Sequence, residues 1–168
     1  MMSWVRILLI ATGAASVVHG LWLHPGLPEM VASHFGPSGR PDAWMSRDAF
    51  VWLYVMVVLS VVGLGFGTEW MIRRGPVELI NFPHREYWFA APRREATSRW
   101  VVPRVVGLLL SGAWLVMLSV QLAADANASR ENIDMAWMLG AVSLYTLLTV
   151  VVVATSYRRF GAPSDREG

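Results

Sequence analysis

Four long apolar runs, nearly free of charge, constrain this chain more than anything else in it. Val5 to Leu23 carries one charge, Arg6, at its start; Phe50 to Gly67, Val105 to Ala124 and Met135 to Tyr157 carry none. A hydrocarbon core about 30 Å thick takes about 20 helical residues, close to the length of each run. A soluble core helix would carry polar residues along one face, whereas these runs only scatter Ser, Thr and Gly. The expected fold is an all-α membrane protein, an antiparallel four-helix transmembrane bundle spanning about 5–23, 50–67, 104–124 and 135–157. Arg6 and the small residues Ala11 to Ser16 also suit a secretory signal. The apolar run continues past them to Leu23, which favours a retained first helix.

Composition removes several function classes. Hydrophobic residues make up 55% of the chain and charged residues 15%, which excludes a disordered polar chain. There is no Cys, so disulfides, thiolate catalysis and Cys-ligated metal centres are excluded. A net charge of +2 over 168 residues is no nucleic-acid footprint. The deep membrane segments hold no Asp, Glu, Arg or Lys, which disfavours an ion pump or an intramembrane protease.

Arginine placement sets the expected orientation. All 14 basic residues are Arg, and eleven of them fall in the N-terminus, the second loop with Arg104 just beyond it, and the C-terminal tail. Only Arg40, Arg47 and Arg130 fall on the other side. The positive-inside rule then places both termini on the cytoplasmic side. The first loop, 24–48, becomes periplasmic, 68–103 a cytoplasmic loop with an interfacial segment, and 158–168 a cytoplasmic tail that frays after Arg159. Trp4, Trp22, Trp52, Trp70, Trp100 and Trp137 lie near run ends, as an aromatic belt requires; Trp114 is the exception. Small residues four apart predict close helix contacts: Thr12, Ser16 and Gly20; Gly63 and Gly67; Gly107 and Ser111; Ala136 and Gly140.

Chemistry is concentrated in the loops. The first loop is rich in Gly and Pro, with a turn at Gly36-Pro37-Ser38-Gly39 and one or two helical turns expected over Pro28 to His34. Ser46 or Asp48 is positioned to cap the second helix, and Asn132 or Asp134 the fourth. His24, Glu29, His34 and Asp42 are the candidate metal or proton-transfer groups, with His19 just beneath. Their spacing matches no metalloenzyme motif, so no cofactor is predicted. The plainer expectation is that the turn brings His34 and Asp42 together as a loop staple. The second loop combines Asn81, Pro83, Tyr87 and Trp88 with Arg93, Arg94 and Arg99. These residues read as an interfacial segment against anionic lipid headgroups, with docking of a protein partner as the sharper alternative. Pro103 is expected to break or kink this segment before the third span. The third loop is expected over Asp125 to Asp134.

In this setting Leu27-Pro28, His34-Phe35, Gly39 and Pro41-Asp42 resemble the membrane domain known as domain-of-unknown-function family 1648, which also occurs in SdpI-type immunity and signalling proteins. Ala32 stands where that family usually has a second Pro. Asn81-Phe82-Pro83 followed by Tyr87-Trp88 is similar to a segment of its single-domain members. The resemblance implies a polytopic bacterial inner-membrane protein and no assigned reaction. SdpI-type members sense and neutralise a toxin at the membrane, and they carry additional helices. The expected function is therefore a non-enzymatic membrane protein that binds a protein partner or a second copy through its loops, as regulator, immunity-like protein or accessory subunit. The alternative is a small metal-assisted enzyme built on His24, Glu29, His34 and Asp42.

Overall fold

The computed structural model describes residues 3–129 and 132–161. Arg130 and the tail beyond Gly161, including Arg166, lie outside the described residues. Helix α1 (Trp4–Leu23) ends in a short 3-10 turn, and a two-stranded antiparallel hairpin follows, β1 (Met30–Phe35) and β2 (Pro41–Ser46). Then come α2 (Arg47–Arg74), the short α3 (Arg85–Trp88), α4 (Arg93–Ser129) and α5 (Met135–Arg159). Four helices, α1, α2, α4 and α5, are long and apolar enough to cross a membrane, so this is an integral membrane protein.

Packing follows small residues, because lipid gives apolar side chains no drive to leave it for each other. Thr12, Gly13, Ser16 and Gly20 form the buried stripe of α1. A Cβ on Gly20 would press into Val51 and Val55 of α2, and one on Gly65 into Leu9 of α1. On the other helices the expected stripes fail. Gly63, Gly67, Gly107 and Gly140 have nothing within 4 Å of a built Cβ. The glycine that approaches α5 is Gly112, where a Cβ would sit 3.2 Å from the Tyr145 hydroxyl. Val5, Leu9, Val58, Val102 and Val106 form the driest part of the core between α1, α2 and α4. Helix α5 lies along α4 with none of its residues fully buried.

Two helices overrun their uncharged runs. Helix α2 extends to Arg74 rather than ending near 67, and α4 spans 93–129 rather than 104–124. Charged residues at these ends find partners inside the protein, so they do not stop the helices. Arg94 donates to the Met71, Ile72 and Gly75 carbonyls, and Ser98 donates to Ile72, closing the C-terminus of α2. Helix α4 runs unbroken through Pro103; Arg104 donates to the Trp100 carbonyl at 2.8 Å in the proline turn. The expected third loop shrinks because α4 continues through Asn127 to Ser129. Caps fall where the sequence put them: Ser46 accepts from Ala49 N, and Asp134 from Ala136 N.

Candidate functional site

The first loop was expected to hold helical turns over Pro28 to His34; it forms a β-hairpin instead. Backbone pairing runs from Met30↔Ser46 to Phe35↔Pro41, with a bulge between Ala32 and His34. The turn closes as Gly39 N donates to Gly36 O at 2.9 Å and Gly36 N to Arg40 O at 2.8 Å. Gly39 sits at φ +76°, and a Cβ there would overlap the Ile133 carbonyl oxygen.

Distant parts of the chain hold the strand extended. The Asn127 side chain of α4 accepts from Ala32 N at 2.8 Å and donates to Ala32 O at 3.2 Å. At the turn, Ile133 N donates to Gly39 O at 3.0 Å. At the base, Arg47 donates from its backbone to Glu29 O and from Nη1 to Leu27 O. Leu27, Val31 and Ala32 are buried beneath these ties, while Pro28 is exposed. A helix over the same residues could not offer both Ala32 groups to one amide.

The candidate metal and proton-transfer groups separate. His34 Nδ1 and Asp42 Oδ1 meet across the hairpin as an exposed pair. His24 Nε2 reaches Asp48 Oδ1 at 2.6 Å, tying the loop to the first turn of α2. Glu29 joins neither pair. Among the described residues no group of three His, Asp or Glu side chains could hold a metal ion. Beside the pairs, Met30 and Trp44 are exposed at 57% and 55%. Behind the hairpin, a crevice of about 470 Å³ runs between Phe35, Phe50, Val120, Met135 and Met138, with His34 on its wall.

His19 takes part in something the sequence reading did not join. Its Nδ1 contacts the Tyr54 hydroxyl at 2.8 Å, and its Nε2 contacts Gln121 Oε1 at 2.9 Å. Gln121 in turn donates to Asp125 at 2.8 Å. Because the Asp125 carboxylate can only accept, the amide oxygen of Gln121 faces His19, so Nε2 carries the proton. With the imidazole neutral, Nδ1 accepts from Tyr54, and every donor in this run of bonds points toward Asp125. This run of bonds joins α1, α2 and α4.

The candidate docking residues gather at the opposite, arginine-rich end. Arg93 lies 4.0 Å over the Tyr87 ring, and Tyr87 packs edge-on against Trp88 at 4.8 Å. Arg99 pairs with Glu95 at 2.6 Å, Asn81 is exposed, and Pro83 is half-buried. Arg94, expected at the headgroups, is engaged by the carbonyls of α2. Two features were missed. Glu69, 2% exposed, binds Arg6 at 2.8 Å and Arg73 at 3.0 Å, with Ser3 alongside. Phe160, expected in the frayed tail, is buried among Phe82, Trp88 and Trp100 with ring centroids 5.1 Å away.

Comparison with known proteins agrees with this arrangement at the level of family. The domain of unknown function DUF1648 matches residues 11–60, a stretch that contains most of α1, the whole hairpin and the first half of α2. An uncharacterized protein of Archaeoglobus fulgidus is 31% identical over 147 residues, covering 80% of this chain and 74% of that protein. No solved structure matches the chain. With the hairpin and parts of both flanking helices inside the matched stretch, and a relative similar over most of its length, the chain belongs to the DUF1648 family.

Proposed function

We propose that this is a non-enzymatic membrane protein that presents its hairpin to a protein partner outside the cytoplasm, in a regulatory, immunity-like or accessory-subunit role. One observation carries the reading: the hairpin is tied to α2, α4 and the segment just before α5, yet it leaves Met30, Trp44 and the His34–Asp42 pair exposed. Recognition residues work best on a scaffold that is already ordered, because less conformational entropy is lost on binding. Trp is among the residues that dominate such surfaces. The orientation that goes with this reading is an antiparallel bundle in a bacterial inner membrane, both termini cytoplasmic, supported by the eleven-to-three split of arginines.

A photo-crosslinking amino acid tests it at Trp44 and, for comparison, at Trp137, which is 73% exposed on the apolar helix α5. Irradiation of intact cells should give a discrete protein adduct from position 44 and none of the same mass from 137. Identical adduct patterns at both positions, or lipid adducts alone at 44, would reject the hairpin as the recognition surface.

A further inference from the structure

We propose that the corner formed by Trp100, Arg104 and Arg159 is a binding site for the phosphate of one anionic phospholipid. Several cations at the arginine-rich end already have partners. Arg6 and Arg73 share Glu69, Arg85 pairs with Glu86, Arg99 with Glu95, and Arg94 is held by three carbonyls. Arg104 and Arg159 have no carboxylate partner among the described residues. Both nevertheless converge on one indole: their guanidinium carbons lie 3.7 Å and 5.3 Å from the Trp100 ring centroid. The ring face attracts each cation, but two like charges drawn to one ring also repel. An anion near both guanidiniums lowers that repulsion.

The corner also has room and an unsatisfied donor. A cavity of about 310 Å³ opens beside Arg159, walled by Trp88, Ala96, Thr97, Trp100, Arg159 and Phe160, with Arg104 on the Trp100 ring outside that wall. The indole N–H of Trp88 is buried and has no acceptor among the described residues. Two guanidiniums and an indole N–H are donors only, so the matching ligand is rich in acceptors and carries negative charge, as a phosphodiester does. The surroundings favour a lipid over free phosphate. The apolar length of α5 leads away from Arg159 and stays exposed, with Leu148 and Val151 open on or beside the face that carries Arg159. A phosphate at the corner thus has a surface for its acyl chains. This is a built corner for one headgroup, unlike the broad basic face expected of Arg93, Arg94 and Arg99.

The test is native mass spectrometry of the full chain in detergent, titrated with phosphatidylglycerol or phosphatidylcholine. One phosphatidylglycerol should bind in preference. Arg104→Gln and Arg159→Gln should each weaken it about fivefold, and the pair roughly twentyfold, from the usual gain per surface Arg on an anionic leaflet. Arg158→Gln, one residue away, should leave affinity unchanged. Arg159→Lys should recover most of it while keeping the fold, and Trp88→Phe, which keeps a ring but not the N–H, should weaken it. Equal binding of both lipids, or a double Gln variant that binds phosphatidylglycerol as well as the parent, overturns the proposal. Displacement of the lipid by millimolar inorganic phosphate would assign the corner to free phosphate and overturn the lipid source.

Discussion

Asn127 holds Ala32 by both of its backbone groups, across 95 positions of sequence. The amide supplies an acceptor to the N–H and a donor to the carbonyl, so one side chain substitutes for a neighbouring strand. A third bond, to Ala123 O at 2.8 Å, fixes the amide on α4. A Pro at position 32 would have no N–H to offer Asn127.

Asn127→Leu should therefore loosen the hairpin without unfolding the bundle. It leaves a buried N–H and carbonyl of Ala32 unpaired, a cost of about 1–3 kcal/mol. Hydrogen exchange at the Ala32 amide should accelerate by one to two orders of magnitude, roughly, by the same energy. Ala32→Pro should loosen the hairpin similarly, because it strands the Asn127 oxygen. Unchanged exchange in the β1 segment of Asn127→Leu would show that the clamp does not hold the strand.

Glu69 should be the most sensitive charged residue in the chain. It is buried and bonded at once by Arg6, Arg73 and Ser3, so its loss breaks three interactions and leaves a void between the ends of α1 and α2. Arg6 is half-exposed at 47%, so water can replace what it loses. Glu69→Ala should lower the thermal midpoint in detergent markedly, Arg6→Ala much less, and Arg6→Ala combined with Glu69→Ala less than the sum of the two. Strict additivity of the pair would mean the two side chains do not interact.

How much of this was legible beforehand depends on whether neighbours in space were needed. The spans were legible because an apolar run near 20 residues is a local signal. Their ends were not, since Glu69, Arg73, Arg94 and Arg99 look like loop residues until their partners are known. The glycines divide the same way. Gly20 and Gly65 matter because Val55 and Leu9 face them, whereas Gly63 and Gly140, identical in pattern, face open space. The hairpin was hidden because Met30 to Phe35 does not alternate cleanly, and its extension is imposed by Asn127 and Ile133. The turn at Gly36 to Gly39 was legible, as turn chemistry is local.

The absence of cysteine makes orientation directly measurable. Single replacements Ser38→Cys in the hairpin turn and Asn81→Cys at the arginine-rich end both fall on exposed positions. In intact cells a membrane-impermeant maleimide should label position 38 at once and position 81 only after permeabilisation. Labelling of both positions in intact cells, or of 81 alone, would reverse or dismantle the orientation drawn from the arginines.

The His34–Asp42 pair separates a staple from a recognition element. Both side chains are more than half exposed, at 70% and 53%, and they bridge a turn that Gly39 and Ile133 already hold. Exposed pairs of this kind contribute about 0–1 kcal/mol. Asp42→Asn should therefore leave the thermal midpoint and β1 exchange nearly unchanged. The amide oxygen can still accept from the imidazole, but the carboxylate charge is gone. If the pair serves only to staple the loop, the photo-adduct formed from position 44 should be unaffected by Asp42→Asn and by His34→Gln. If it contributes to recognition, both substitutions should diminish that adduct while stability stays level. A drop in stability that parallels the loss of adduct would instead assign the pair to the fold.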